Sequence, residues 1–206
     1  MSIQNNIEIT IFPNKLLQKY SEIIIKQIES FEKKTFPKNE VMDIKKEISK
    51  KTNTLLIAYY EQDIQKEQYT QTLEQTNKLK AHQEKGTNKS NKKDPKNFVM
   101  TKEIIIVGYI IFSNISSTQM PITRILKLCI HHSFRRIGLG ERLLKSVLER
   151  MDVPNRSKAD LHVDVEREIA VNLYKKVGFN IVKRITDYYE IGRDAWLMEF
   201  NEINYS

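Results

Sequence analysis

The chain has 206 residues, enough for one domain with a sizeable core. Its 34 lysines and arginines against 26 acidic residues give a formal charge of +8, which favours anionic partners in general and selects none of them. The one cysteine, Cys129, excludes an internal disulfide, the longest apolar run, Ile104 to Phe112, is too short to cross a bilayer, and the amino terminus lacks a signal-peptide pattern. The expectation is therefore a cytoplasmic protein, with the nucleus as the alternative, and no membrane partner.

Ile7, Ile9 and Ile11 alternate with polar residues and predict a first strand, ended by Pro13. Leu16, Leu17, Tyr20, Ile23, Ile24 and Ile28 then recur at helical spacing as far as about Phe31. Pro37 pushes Phe36 away from helical angles, and a second helix is expected from about Asn39 to Lys50. Thr54 to Tyr60 and Glu103 to Ser113 are dense in apolar and β-branched residues and predict the second and third strands. Between them, residues 62–97 are dominated by Gln, Lys, Thr and Asn and offer too little apolar surface to offset ordering. This reads as a low-complexity, disordered or partly helical insertion in the hairpin of a single domain spanning 1–206. Its basic end, Lys85 to Lys96, would suit a tether to the ribosome, although a neutral expansion explains the same composition more simply.

Ile122 to Ile130 predicts the fourth strand, and Leu139, Leu143, Leu144, Val147, Leu148 and Met151 mark the next helix. Leu161, Val163 and Val165 alternate with Asp160, His162 and Asp164, as a half-buried strand does. A fourth helix carries Ile169, Ala170, Leu173, Tyr174 and Val177 on one stripe and stops at Gly178. Phe179 to Ile185 and Ala195 to Phe200 complete the series. The order β-α-α-β-β-β-α-β-α-β-β predicts an α/β (α+β) class with a mixed, mostly antiparallel sheet of about seven strands and helices on both faces.

The loop between the fourth strand and third helix carries the strongest functional signal. In Arg135-Arg136-Ile137-Gly138-Leu139-Gly140, two glycines let the backbone curl at a helix start, and the free N–H groups of the first turn suit an anion. A plain turn into a core helix would use the same residues. Cys129, among Leu126, Leu128 and Ile130, fits a small buried apolar residue better than a nucleophile. His131 and His132 have no partner at ligand spacing, so no metal is expected, and they are placed at the strand exit beside the loop.

That Arg-x-x-Gly-x-Gly loop, followed by LHVDV, AVNLYKKVGF and YYEIGRDAWLMEF, resembles the GCN5-related N-acetyltransferases (GNAT), closely from Ile104 to Phe200 and more loosely back to Phe36 and Pro37. The resemblance implies a splay between the fourth and fifth strands and acetyl-CoA as cosubstrate. On it, Leu128, Cys129 and Ile130 would offer main-chain groups to the acetyl end, Arg135 to Gly140 would hold the pyrophosphate, and Asn172 would bond the cofactor. Tyr174 would donate a proton or a hydrogen bond to the leaving thiolate, and His162 would accept the proton of the amine. A core aromatic and a structural histidine are the plainer readings of those two residues.

Tyr188 and Tyr189 resemble the tyrosine pair in the loop between the last two strands of amino-terminal acetyltransferases, and Phe36-Pro37 resembles the loop that holds the first substrate residue. Lys38 departs from the methionine-directed pattern, which leaves the first-residue preference open. The expected activity is acetyl transfer to the α-amino group of protein or peptide amino termini by direct attack. Acetylation of lysine or a polyamine is the second reading, and a silent ribosome-associated binding module, with no specific nucleic-acid motif, is the third.

Overall fold

Alternating strands and striped helices sort the apolar residues onto two cores, one on each face of a single sheet. A computed structural model describes residues 6–68, 97–116, 121–151 and 158–201. Its strands are β1 (Glu8–Phe12), β2 (Asn53–Gln68), β3 (Asn97–Ile115), β4 (Ile122–Ile130), β5 (Lys158–Asp164), β6 (Asn180–Glu190) and β7 (Arg193–Asn201). The helices are α1 (Ser21–Thr35), α2 (Ile44–Ser49), α3 (Leu139–Leu148) and α4 (Glu168–Val177). The seven strands lie in the order β1-β2-β3-β4-β5-β7-β6, and β4–β5 is a parallel pair in a mixed sheet. By contacts the chain divides into a unit of residues 1–60 with 104–206 and a unit of residues 61–103.

Leu139, Leu143, Leu144 and Val147 of α3 and Val171, Tyr174 and Val177 of α4 join Ile110, Phe112, Ile125, Leu161 and Val163 in one core. Ile24 and Ile28 of α1 and Ile44 of α2 cover Leu55, Ile57, Tyr109, Ile111 and Cys129 in the other. Each such buried aliphatic side chain contributes about 1.5–3 kcal/mol. The stripe of α1 continues, at the next helical repeat, onto a carboxylate. Glu32 is fully buried, its side chain accepts from the Met42 N–H and the Tyr109 hydroxyl, and Lys127 stands 3.5 Å away.

Several boundaries differ from the sequence expectation for local reasons. The first helix begins later, because the Asn14 side chain accepts from Leu17 N–H and holds a turn, and it runs on to Thr35. Phe36 is the extended residue that the following proline demands. The expected second helix from Asn39 is a short 3-10 turn over Lys38–Glu40, and α2 starts only after Asp43, whose carboxylate caps Lys46 N–H at 3.1 Å. Ile169, expected on the apolar stripe of α4, is 74% exposed, and Val171 takes the buried place. β2 continues to Gln68 and β3 begins at Asn97, so the ends of the stretch 62–97 are strand. Residues 69–96, including the basic end of that stretch, lie outside the described residues.

Candidate active site

The parallel ladder between β4 and β5 pairs four residues, Ile122–Ile125 against Lys158–Leu161. Past that point β4 pairs with β3 and β5 with β7, so Leu126–Ile130 and His162–Asp164 face each other without ladder hydrogen bonds. The parting starts at a bulge. Ile111 pairs with Lys127 and Phe112 with Ile125, which leaves Leu126 as an extra residue that bends β4. Main-chain groups of Leu128, Cys129 and Ile130 therefore border an opening. Cys129 itself is buried, its Sγ is 3.6 Å from Thr35 Oγ1, and burial raises its thiol above the ordinary range, which suits packing and not nucleophilic attack.

At the end of β4 the chain passes through a 3-10 turn, His132–Phe134, into the loop before α3. Arg135 Nε donates to the Ile130 carbonyl at 3.0 Å and fixes the strand exit, while Arg136, at φ 64°, and Ile137 are exposed. Gly138 caps α3 at φ 80° without a side-chain hydrogen bond to the helix start, so the N–H groups of Leu139, Gly140 and Glu141 have no intrahelical acceptor. Gly138 is needed for its angle, since a Cβ there would meet nothing within 4 Å. Gly140 serves packing, because a Cβ would stand 3.1 Å from Leu173 of α4. Asn172, the neighbour of Leu173, lies on the exposed side of α4, and Leu139 is buried in the core. The donors at the helix start, the two arginines and the parted strands together fit an elongated ligand with a pyrophosphate.

His162 of β5, beside the opening, and Tyr188 of β6 stack with ring centroids 4.6 Å apart and planes 10° from parallel. Tyr188 meets Tyr189 edge-on at 4.9 Å. Beside them, Arg124 Nε and Nη2 each donate to one oxygen of the buried Asp160 carboxylate at 2.7 Å. Burial holds the His162 imidazole below its ordinary value, the Arg124 charge adds to this, and Asp160 opposes it. The ring is therefore a neutral base at physiological pH. Tyr174 is buried in the α3–α4 core, edge-on to Phe179, and burial followed by Tyr189 lifts its hydroxyl far above the usual phenol range, against the pull of Arg167. It keeps its proton and can only give one up to a strong base. Tyr189 is pushed up to about 12, mainly by burial.

The tyrosine pair was expected in a loop and lies in the last turn-ward residues of β6. Asp187 there adopts φ 54°, and its N–H is received by Asp194, which also takes Arg184 Nε at 2.6 Å, so the strand is irregular between Ile185 and Glu190.

Phe36 and Pro37 reach the same region through residues that sequence reasoning missed. Lys127 Nζ lies 3.7 Å from the centre of the Phe36 ring and donates to the Glu40 carbonyl at 2.8 Å. The Glu40 carboxylate accepts from Arg167 at 2.7 Å and Arg193 at 2.8 Å, and the Arg193 guanidinium also binds Asp164 and lies over Tyr189 at 5.1 Å. Contacts thus run unbroken from Phe36 through Glu40 and Arg193 to Tyr189, Tyr188 and His162. The only available signal for Glu32 was a carboxylate in phase with Ile24 and Ile28. Among the described residues no group of His, Cys, Asp or Glu could hold a metal ion, and no helix is long and apolar enough to cross a membrane.

Comparisons with known proteins bear on the fold and the family. An N-alpha-acetyltransferase of Sulfurisphaera tokodaii is 34% identical over 110 residues, which cover 49% of this chain and 66% of the relative, just under two thirds of its length. The catalytic subunit NAT3 of the Saccharomyces cerevisiae N-terminal acetyltransferase B complex is 29% identical over 93 residues, covering 44% and 48%. Arabidopsis thaliana Naa50, solved in complex with the bisubstrate analogue CoA-Ac-MVNAL, shares the fold with a TM-score of 0.58 at 20% identity, over 95% of this chain and 99% of that one. The family model of the acetyltransferase (GNAT) domain matches residues 60–189, more than half of the chain. With the parted β4–β5 pair and the loop at the start of α3, this match means that the chain belongs to the GNAT acetyltransferase family.

Proposed function

We propose that the chain transfers an acetyl group from acetyl-CoA to the α-amino group of protein or peptide amino termini. The observation that carries this is the neutral imidazole of His162, stacked on Tyr188 at the opening between β4 and β5. Acetyl-CoA would supply an activated thioester, with its pyrophosphate at the Arg135–Gly140 loop and its acyl end along the main chain of Leu128, Cys129 and Ile130.

The amine nitrogen attacks the thioester carbonyl, the C–N bond forms and the C–S bond breaks. His162 accepts the ammonium proton, directly or through water, and the Tyr174 hydroxyl, which keeps its own proton, donates a hydrogen bond to the departing thiolate. A base held below the ordinary histidine range suits an α-amine, which titrates near about 7.7–8.0 and is partly neutral already, better than a lysine near about 10.4. Phe36, Pro37, Tyr188 and Tyr189 would enclose the first residues of the peptide, with Glu40 tying the two walls together. Asn172 would contact the cofactor from α4. The setting that this reading implies is the cytoplasm or the nucleus, where emerging and finished chains offer free termini, and a ribosome contact through residues 85–96 rests on their basic sequence.

The test is release of free coenzyme A from acetyl-CoA with matched peptides, one with a free amino terminus and one blocked but carrying an internal lysine. Turnover with the free terminus alone is expected. Turnover with the blocked peptide would move the reading to lysine, and silence with both would leave a small amine or a binding role.

A further inference from the structure

The loop between α1 and α2 carries Phe36 and Pro37, and its only regular piece is the 3-10 turn at Lys38–Glu40. Two buried side chains outside the loop anchor it at three points. Lys127 Nζ lies 3.7 Å from the centre of the Phe36 ring and donates to the Glu40 carbonyl at 2.8 Å. Glu32 Oε2 accepts from the Met42 N–H at 2.7 Å. The ammonium and the carboxylate stand 3.5 Å apart, and the second oxygen of Glu32 takes the Tyr109 hydroxyl of β3.

Stability does not explain this pair. The Glu32 side chain is fully buried and that of Lys127 only 11% exposed. Withdrawing two charges from water costs several times what a surface pair does, and well-packed apolar side chains of similar volume commonly serve a core as well or better. Burial pushes the Glu32 carboxyl up and the Lys127 ammonium down, and each charge draws the other back. What the pair adds is direction. An ammonium and a carboxylate place strong donors and acceptors at fixed points, and here they meet a ring, a carbonyl and an amide of the same loop.

The structure assigns Lys127 and Glu32 as positioning residues for the peptide side of the active site. Neither touches a reacting atom. They act through Phe36 and Pro37, whose place they set. Lys127 directly follows Leu126, the extra residue at which β4 parts from β5, and directly precedes Leu128, the first of the residues proposed to border the acetyl end. One ammonium therefore ties the wall for the peptide to the strand that would hold the thioester. The assignment rests on the proposed transfer to peptide amino termini.

The experiment compares the full chain with Lys127→Met and with the double variant Glu32→Gln/Lys127→Met. It reads KM for a free-terminus peptide and for acetyl-CoA, thermal unfolding, and hydrogen exchange of the Met42 amide. Lys127→Met should raise the peptide KM roughly tenfold and change the acetyl-CoA KM less than about twofold. Its Tm should fall, because Glu32 is left buried without its partner. Adding Glu32→Gln removes the stranded charge and should restore Tm while the peptide KM stays high. If Lys127→Met does not fold, the double variant carries the KM comparison alone. Recovery of the peptide KM together with Tm would make the pair merely structural and overturn the assignment, as would an equal rise in both KM values. A wild-type chain that turns over no peptide would sink the transferase reading, and hydrogen exchange then judges the pair. Faster exchange at Met42 in Lys127→Met would uphold the anchoring of the loop, and unchanged exchange would overturn it.

Discussion

The imidazole of His162 lies flat on the phenol ring of Tyr188, 4.6 Å away, so the group proposed to take the amine's proton and the group proposed to close over the peptide form one packed unit. Tyr188→Ala should therefore lower kcat as well as raise the peptide KM. A roughly tenfold loss in kcat/KM is expected from an aromatic contact worth about 0.5–1.5 kcal/mol. Tyr188→Phe keeps the ring and should recover kcat. Steady-state kinetics on both variants decide this, and an unchanged kcat in Tyr188→Ala would show that the imidazole needs no support from the ring.

The acid limb of kcat/KM should lie below the ordinary histidine value of 6.5, because His162 must be neutral to work and its folded pKa is lowered. Burial is the main cause, and the charge of Arg124 is the next. Arg124→Gln removes a positive neighbour and leaves the Asp160 carboxylate uncompensated. Both changes favour the imidazolium, so the limb should move to higher pH. Arg124→Lys keeps the charge and should move it less. pH–rate profiles of the three enzymes test the sign.

Tyr174→Phe should reduce kcat about a hundredfold while leaving acetyl-CoA affinity nearly unchanged. The ring packs against Phe179 in either case, so the fold is expected to hold. Calorimetric titration of acetyl-CoA alongside turnover separates the two effects. A parallel loss of binding and rate would instead make this residue part of the cofactor's packing.

Glu40→Gln should raise the peptide KM and leave the KM for acetyl-CoA unchanged, since it loosens the contact between the Phe36 loop and the arginines beneath Tyr189. Because Arg193 retains Asp164 and Glu190, the loss of stability should be modest, roughly 1–3 kcal/mol. Thermal unfolding and substrate-specific KM values check both parts. A defect confined to acetyl-CoA would contradict the assignment of this wall to the peptide.

The order of strands and helices was legible because hydrophobic period is a local property, and Leu139 to Leu148 or Leu161 to Val163 display it within a few residues. What stayed hidden depended on residues far apart in the chain. Glu40, Arg167 and Arg193 meet across more than a hundred positions, and nothing in their neighbourhoods marks them as partners. Ile169 was misplaced because its neighbours Ala170 and Val171 are also apolar, so the phase of the stripe was ambiguous over that turn. The paired tyrosines were assigned to a loop on the family resemblance, whereas β6 runs through them and absorbs Asp187 as an irregularity.

The extra residue at Leu126 sets the facing of everything that follows in β4. Ile125 lies in the α3–α4 core, and after the bulge Leu128 and Ile130 return to that core, while Lys127 and Cys129 point toward α1. Were the strand regular, the alternation would run out of phase. The ammonium of Lys127 would enter the core, and Leu128 would take its place beneath Phe36. Removing Leu126 altogether would keep every side chain on its own face and let the parallel ladder close beyond Ile125. The parting of the two strands thus coincides with a single inserted residue, so it depends on the length of β4 more than on any one side chain along it.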